Sequence, residues 1–377
     1  MHNNPNINAE APLLHAGMPP LDESAARTSW FEFAPAHLFY TPIALYCGLL
    51  SLRHRGLTLP TGTNPALPYS GLVGESKFEV LSHAWPTSKD WISPYVRILR
   101  WGGDGGMVRT LEDASNALKE AGIDFPLVAK PDIGMRGAGV QLVHNEAELE
   151  SYLQAFPAGA NLLLQKLVDM EGEAGVFYVR HPDEKKGRII SLTLKYFPRV
   201  TGDGKSTLRQ LIMADPRAGK LAHLYLARHR DRLDEVITVG ESIRLAFAGN
   251  HCRGTIFRNG NNEITQAMTE RFDQIAQSME GFFIGRFDVR FADFNRFQAG
   301  EGFRIIEING AGGEATHIWD SRTTLREAYK TLMHQFGHLY AIGAKNRKRG
   351  HKPTPLQKLI KAWWREKRLT KHYPITH

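Results

Sequence analysis

An α+β fold is predicted from three observations. Short apolar runs with strand character recur along the whole chain, at residues 125–130, 140–143, 189–196, 285–290 and 305–309. Helical segments separate them in mixed order, without the regular strand–helix alternation that a parallel sheet demands. The chain has 377 residues, 42% of them hydrophobic, enough for two or three domains around a sizeable core. Its formal net charge of +8 favours anionic partners. The two cysteines, Cys47 and Cys252, make no disulfide framework and suit a reducing compartment.

Residues 1–28 are polar, with several Asn and Pro, and are expected to form a disordered arm. They lack the charged start and apolar core of a secretory signal, so a cytoplasmic location is expected. Residues 29–109 are expected to form an N-terminal accessory region that helps to recognise substrate. Within it, the apolar stretch 38–52 contains Pro42 and Gly48 and ends near Arg53 and Arg55. It is shorter than the ~20 apolar residues of a spanning helix, so a buried or interfacial helix is predicted. Pro65, Pro68 and Gly71 mark a loop, and a helix opens near Ser76 and runs through Leu81. Two readings stand for that junction: an anion site at a helix N-terminus, with Lys77 a substrate contact, or a plain start capped by Ser76. A turn-rich boundary follows at 102–106. Further helices are predicted at 112–121, 146–155, 208–232, 269–279 and 322–342.

Two stretches carry chemistry. In the first, an apolar strand ends at Lys130-Pro131 and enters a loop containing Gly134, Gly137 and Gly139 before a second strand begins at Val140. Glycines let backbone N–H groups approach phosphate oxygens closely, and the lysine supplies a point charge. Strands flank this loop on both sides, so it is neither a dinucleotide-binding fingerprint nor a Walker A loop. The stretch at 202–207 is not a Walker A loop either, because Arg199 stands where that pattern requires glycine.

In the second stretch, Arg286 and Asp288 share one strand face, as do Glu307 and Asn309. The polar segment 293–302 between them suits a hairpin loop, and centring it on Phe297 and Gln298 sets Asp288 opposite Glu307. Such acids commonly form a solvated face, but here they interrupt apolar runs, where an unpaired charge is costly. Two carboxylates and an amide oxygen are a ligand set for a hard cation such as Mg²⁺.

Lys-Pro followed by a Gly-rich loop, then a distant Arg-x-Asp and Glu-x-Asn, resembles the ATP-grasp ligases over about residues 114–340. D-alanine–D-alanine ligases and cyanophycin synthetase-like carboxylate–amine ligases are the most similar in these motifs. The resemblance implies an ATP-grasp domain at 110–345, with a small lobe at about 110–200 and a large lobe at about 201–345. It implies ATP and Mg²⁺, with Mn²⁺ as a substitute, and an ADP-forming reaction through an acyl phosphate that joins a small carboxylate to an amine. Lys130, Gly134, Arg136, Gly137 and Gly139 then face the phosphates. Gln165, Lys166 and Val168 belong to the hinge that reads adenine, and Glu173 contacts the ribose. Asp288, Glu307 and Asn309 hold the metal. Arg286 and the backbone N–H of Gly313 (or Gly312) steady the reacting carbonyl oxygen. Lys77, Lys195, Lys205 and His317 are candidate substrate contacts, although solvated surface lysines are the alternative for Lys195 and Lys205.

Residues 346–377 form a basic tail. Leu356, Leu359, Ile360 and Trp363 fall on one helical stripe ringed by lysines and arginines. An anionic membrane, met through 356–369 on its inner face, and the protein's own surface are both possible partners. Nothing resembling a nucleic-acid motif accompanies the charge. Two other functions remain open: a kinase or a ligase with a non-amine acceptor, and a non-catalytic nucleotide-binding membrane adaptor.

Overall fold

The computed structural model describes residues 15–22, 28–134, 137–250 and 253–374. It is α+β, with two antiparallel sheets facing each other across a cleft. The first sheet has the order β1-β4-β2-β3, from β1 (Tyr95–Leu99), β2 (Leu127–Pro131), β3 (Gln141–Val143) and β4 (Asn161–Lys166). Helices α3 (Gly106–Ala121) and α4 (Glu146–Ala155) cover one of its faces, burying Ala114, Leu118, Leu149 and Leu153 against Leu127, Ala129, Leu162 and Leu164. Gly122 ends α3 at φ 62°, a left-handed stop that suits glycine.

The second sheet has the order β11-β10-β5-β6-β9, from β5 (Gly172–Val179), β6 (Arg188–Tyr196), β9 (Ile256–Asn259), β10 (Ile284–Phe291) and β11 (Phe303–Asn309). Strand alternation divides its side chains between two faces. Phe287, Val289, Phe291, Val176 and Leu194 pack on α2 (Lys77–Ser88) and α7 (Gln266–Ser278) in the main core. Arg286, Asp288, Arg290, Glu173 and Lys195 occupy the opposite face. A small ribbon of β7 (Arg199–Thr201) and β8 (Ser242–Arg244) packs with α5 (Leu208–Ala214) and α6 (Ala222–Arg228). The N-terminal helix α1 (Ala36–Arg53) lies along α9 (Leu325–Lys348).

Several expectations are revised. The boundary expected at 109 falls inside α3, and β1 belongs to the first sheet, so that lobe begins before 110. The lobe boundary expected near 200 also moves, because β5 and β6 pair with β10 in the second sheet. The helix expected over 208–232 is broken into α5, α6 and short 3₁₀ turns. The 293–302 loop contains a short helix, α8 (Phe294–Gln298), whose Phe297 is buried in the core. Part of the arm packs: His15 stands edge-on to Tyr196, and Pro19 accepts a hydrogen bond from the Tyr196 hydroxyl at 2.9 Å. Residues 1–14 and 23–27 lie outside the described residues.

In the tail, α10 (Leu356–Thr370) lies on the protein's own surface. Glu366 accepts a hydrogen bond from the Gly74 N–H at 3.0 Å, and Tyr373 stacks on Phe156 at 5.3 Å. Leu356, Ile360, Trp363 and Trp364 remain exposed. Among the described residues, no helix is long and apolar enough to cross a membrane.

Candidate functional site

The two sheets enclose a cleft of about 360 Å³, lined by Lys77, Lys130, Gln165, Glu173, Lys195, Arg286, Asp288, Arg290, Glu307 and Asn309 among others. Asp288 pairs opposite Glu307 and Arg286 opposite Asn309, the register expected from the sequence, with a bulge immediately after Asp288. The metal-ligand candidates therefore share one face of a two-stranded edge.

A network of charges holds this edge. Asp288 accepts hydrogen bonds from Lys195 Nζ at 2.8 Å, Arg286 Nη2 at 2.9 Å and Asn309 Nδ2 at 3.1 Å. Burial opposes ionisation of Asp288, but the charges of Arg286 and Lys195 outweigh it and hold the carboxyl down to about 2. Gly175 makes the arrangement possible, since a Cβ there would lie 3.2 Å from both Arg286 Cδ and Asp288 Oδ1. Lys195 also donates to Glu173 at 3.0 Å, and Arg290 approaches the other Glu173 oxygen at 3.3 Å.

The first sheet reaches the same place through one buried cation. Lys130 Nζ donates to Gln165 Oε1 at 2.7 Å and to the Ile306 carbonyl of β11 at 2.8 Å. Burial is the main force lowering its pKa to about 8; the Lys77 charge adds to it, and Glu307 opposes. Lys77 donates to the Gly134 carbonyl at 2.6 Å and lies 3.6 Å from Glu307. Gly137 and Gly139 adopt φ of 70° and 72°, and a Cβ on Gly139 would lie 2.6 Å from Pro131.

Several candidates are placed otherwise than expected. Glu173 is 3% exposed with both oxygens in ion pairs, and the Gly249 backbone covers it, so it is a counter-charge rather than an open acceptor for a ribose. Gly313 N–H donates to the Gly310 carbonyl at 3.0 Å and Gly312 N–H to the Gly71 carbonyl at 2.8 Å, so neither is free for an oxyanion. The Lys166 N–H donates to the Pro94 carbonyl, and its own carbonyl accepts from Ser93; the Val168 carbonyl accepts from Arg290 Nη1 at 3.4 Å, and Leu167 and Val168 line the cleft. His317 is buried beside Ser191, its pKa lowered to about 4 by burial, and it lines a separate, shallower groove rather than the cleft. Lys205 sits exposed on the 202–207 turn, away from the cleft. Lys195 is buried, not a surface lysine. Arg136 lies outside the described residues. The α2 N-terminus is occupied by the chain's own Asp132, which accepts from the Phe78 N–H at 2.9 Å and from the Ser76 hydroxyl at 2.8 Å.

Other cleft residues carried no assignment from the sequence. Arg290 was readable, since it continues the Arg286–Asp288 face by strand alternation. Tyr40 and Glu314 were not, because only the packing of α1 brings them together.

The donor set suits a hard cation. Asp288 is anionic, Glu307 is half-buried, and Asn309 turns its NH₂ toward Asp288, leaving its oxygen for another partner. Among the described residues, no group of three or more His, Cys, Asp or Glu is built to hold a metal alone.

No family model and no curated protein matches this chain. Among solved structures, it is similar to D-alanine–D-alanine ligase from Bacillus anthracis at 11% identity and a TM-score of 0.41, covering 76% of this chain and 72% of that one. It is similar to the VanG D-Ala:D-Ser ligase from Enterococcus faecalis at 13% identity and a TM-score of 0.40, over 73% of this chain and 64% of that one. A bifunctional glutathione synthetase from Pasteurella multocida is similar at 15% identity and a TM-score of 0.34, over 69% of this chain. The chain spans only 36% of that synthetase.

Proposed function

We propose that this chain is an ATP-grasp ligase that joins a carboxylate to an amine, with ATP converted to ADP and phosphate through an acyl phosphate. The observation that supports it most is the convergence of Lys130, Arg286, Asp288, Glu307 and Asn309 in one cleft under a Gly-rich loop. A carboxylate is a poor acyl donor. Phosphoryl transfer to it needs positioning and charge neutralisation rather than a protein nucleophile. Lys130 supplies a fixed positive charge at the end of β2, and the loop after it supplies backbone donors. Asp288, Glu307 and Asn309 would hold Mg²⁺, with Mn²⁺ as a substitute. When bound, the ion neutralises phosphate charge and orients the transferred group. Arg286 is held rigid by Asp288 and by the Glu314 carbonyl at 3.1 Å, which preorganises its guanidinium for an oxyanion. With Gly312 and Gly313 engaged elsewhere, Arg286 carries that role in this geometry. A kinase or an ester- or thioester-forming ligase would use the same cleft. Product analysis separates these readings: amide together with ADP and inorganic phosphate is expected, and a phosphorylated product without amide would contradict the proposal.

We also propose a peripheral contact with an anionic membrane surface. The support is the unburied stripe on α10, with Ile360 45% and Trp364 61% exposed beside Lys358, Lys361 and Lys367.

A further inference from the structure

We infer that Glu314, held by Tyr40 and Trp319, is a recognition site for the ammonium group of an amine-bearing substrate. The inference rests on the ligase reading for its location and deepens it by naming a substrate class.

The side chain is placed from both ends of the sequence. The loop after β11 is pinned by hydrogen bonds from the Ala311 and Gly312 N–H groups to the Ser70 and Gly71 carbonyls, each at 2.8 Å. Arg286 Nη1 fixes the Glu314 carbonyl. Phe39 packs against Trp319 at 4.9 Å and Phe31 at 5.7 Å, and this aromatic cluster sets α1 against the sheet. The next residue on α1 is Tyr40, which therefore reaches the cleft. Its hydroxyl donates to Glu314 Oε2 at 2.6 Å, and the Trp319 indole N–H donates to Oε1 at 2.9 Å.

Glu314 differs from the other carboxylates of the cleft. Asp288, Glu173 and Glu307 each have a lysine or arginine within ion-pair distance. Among the described residues, Glu314 has neutral donors only, one on each oxygen. The carboxylate is fixed in place with no ion pair among the described residues, Arg286 acting on it only at a distance, and it borders the cleft. That arrangement attracts a cation. A metal ion is disfavoured, because the flanking indole N–H is a donor that cannot ligate and, among the described residues, no group of three or more His, Cys, Asp or Glu could hold one. An ammonium fits: it donates to the remaining carboxylate lone pairs and meets the aromatic rings of Tyr40 and Phe257, which line the same cleft.

The test is saturation-transfer NMR on the full chain with Mg-ADP present. The probes are ethylamine, ethanolamine and glycinamide, each against its neutral hydroxy counterpart. The wild type is expected to bind the amines in preference to the neutral analogues. Glu314→Gln keeps an oxygen acceptor for the Trp319 N–H and turns its NH₂ to the Tyr40 hydroxyl, which then accepts, but it loses the charge and is expected to weaken amine binding roughly 10- to 100-fold. Mg-ADP affinity is expected to be unchanged. Tyr40→Phe releases one oxygen and is expected to cause a smaller loss of the same sign. Equal amine binding by wild type and Glu314→Gln, or no preference for amines over hydroxy analogues, overturns the assignment. Failure of the ligase reading would show separately, as absent ADP release.

Discussion

The two sheets supply the cleft in opposite ways. The first contributes one buried charge, Lys130, and a loop whose glycines take left-handed backbone. Lys130 links it to the other side through a hydrogen bond to the Ile306 carbonyl. The second contributes Glu173, Lys195, Arg286, Asp288 and Arg290 as an interlocked ion network on adjacent strands. Buried ions cost several kcal/mol each unless paired, so this network is rigid by necessity. One side of the cleft is a preset electrostatic template, and the other adds a single buried lysine and a Gly-rich loop.

The largest effect is expected from breaking the template. Asp288→Asn keeps the shape but removes the carboxylate paired with Arg286 and leaves Lys195 with Glu173 alone. Substrate-dependent ADP release is expected to fall roughly 10³-fold, and stability by about 3–5 kcal/mol in chemical denaturation. Unchanged turnover and Mg²⁺ dependence would show that the metal assignment is wrong. Lys130→Ala should act on ligand rather than on stability, weakening nucleotide binding roughly 10- to 100-fold in titration calorimetry with a small change in melting temperature.

The same contrast has a pH signature. Lys130 is cationic below its lowered pKa of about 8 and neutral above it. Nucleotide affinity in the wild type is therefore expected to be greatest below that value and to fall as pH rises through it. Lys130→Arg, which stays charged, should remove the decline. An affinity flat from pH 7 to 9.5 in the wild type would contradict this.

Smaller effects are expected at the tail. The Tyr373 hydroxyl donates to the Ile133 carbonyl at 2.5 Å, and the ring lies against Gly134, at the base of the Gly-rich loop. Tyr373→Ala should loosen that loop and raise KM for ATP a few-fold while kcat holds. The smallest expected effect is on chemistry when Ile360 and Trp363 are both changed to Asp. Such a variant should lose sedimentation with anionic liposomes but keep its activity in solution. Retained liposome binding would remove the membrane proposal.

How much of this was legible in the sequence depended on locality. The pairing of Asp288 with Glu307 was consistent with strand alternation and hairpin length, although the bulge after Asp288 was not foreseen, and α4 was expected at its observed bounds. The limits were non-local. Strand β5 is fully buried, yet Gly172 and Gly175 interrupt its strand pattern, and no strand was expected there. Both glycines answer to partners across the sheet, Phe291 in one case and the Arg286–Asp288 pair in the other. Glu173 and Lys195 were singled out, but their mutual neutralisation needed the β5–β6 register. Glu314 and Tyr40 are 274 residues apart, and no local pattern links them. The engagement of the Gly312 N–H likewise depends on the Gly71 backbone.

The most direct test of the central claim is ADP release by the full chain with Mg-ATP, against pooled small carboxylic acids, amino acids and amines, with Glu307→Ala in parallel. The account predicts release stimulated by substrate in the wild type and lost in the variant. Nucleotide binding without turnover in every pool, or equal turnover by Glu307→Ala, would contradict it.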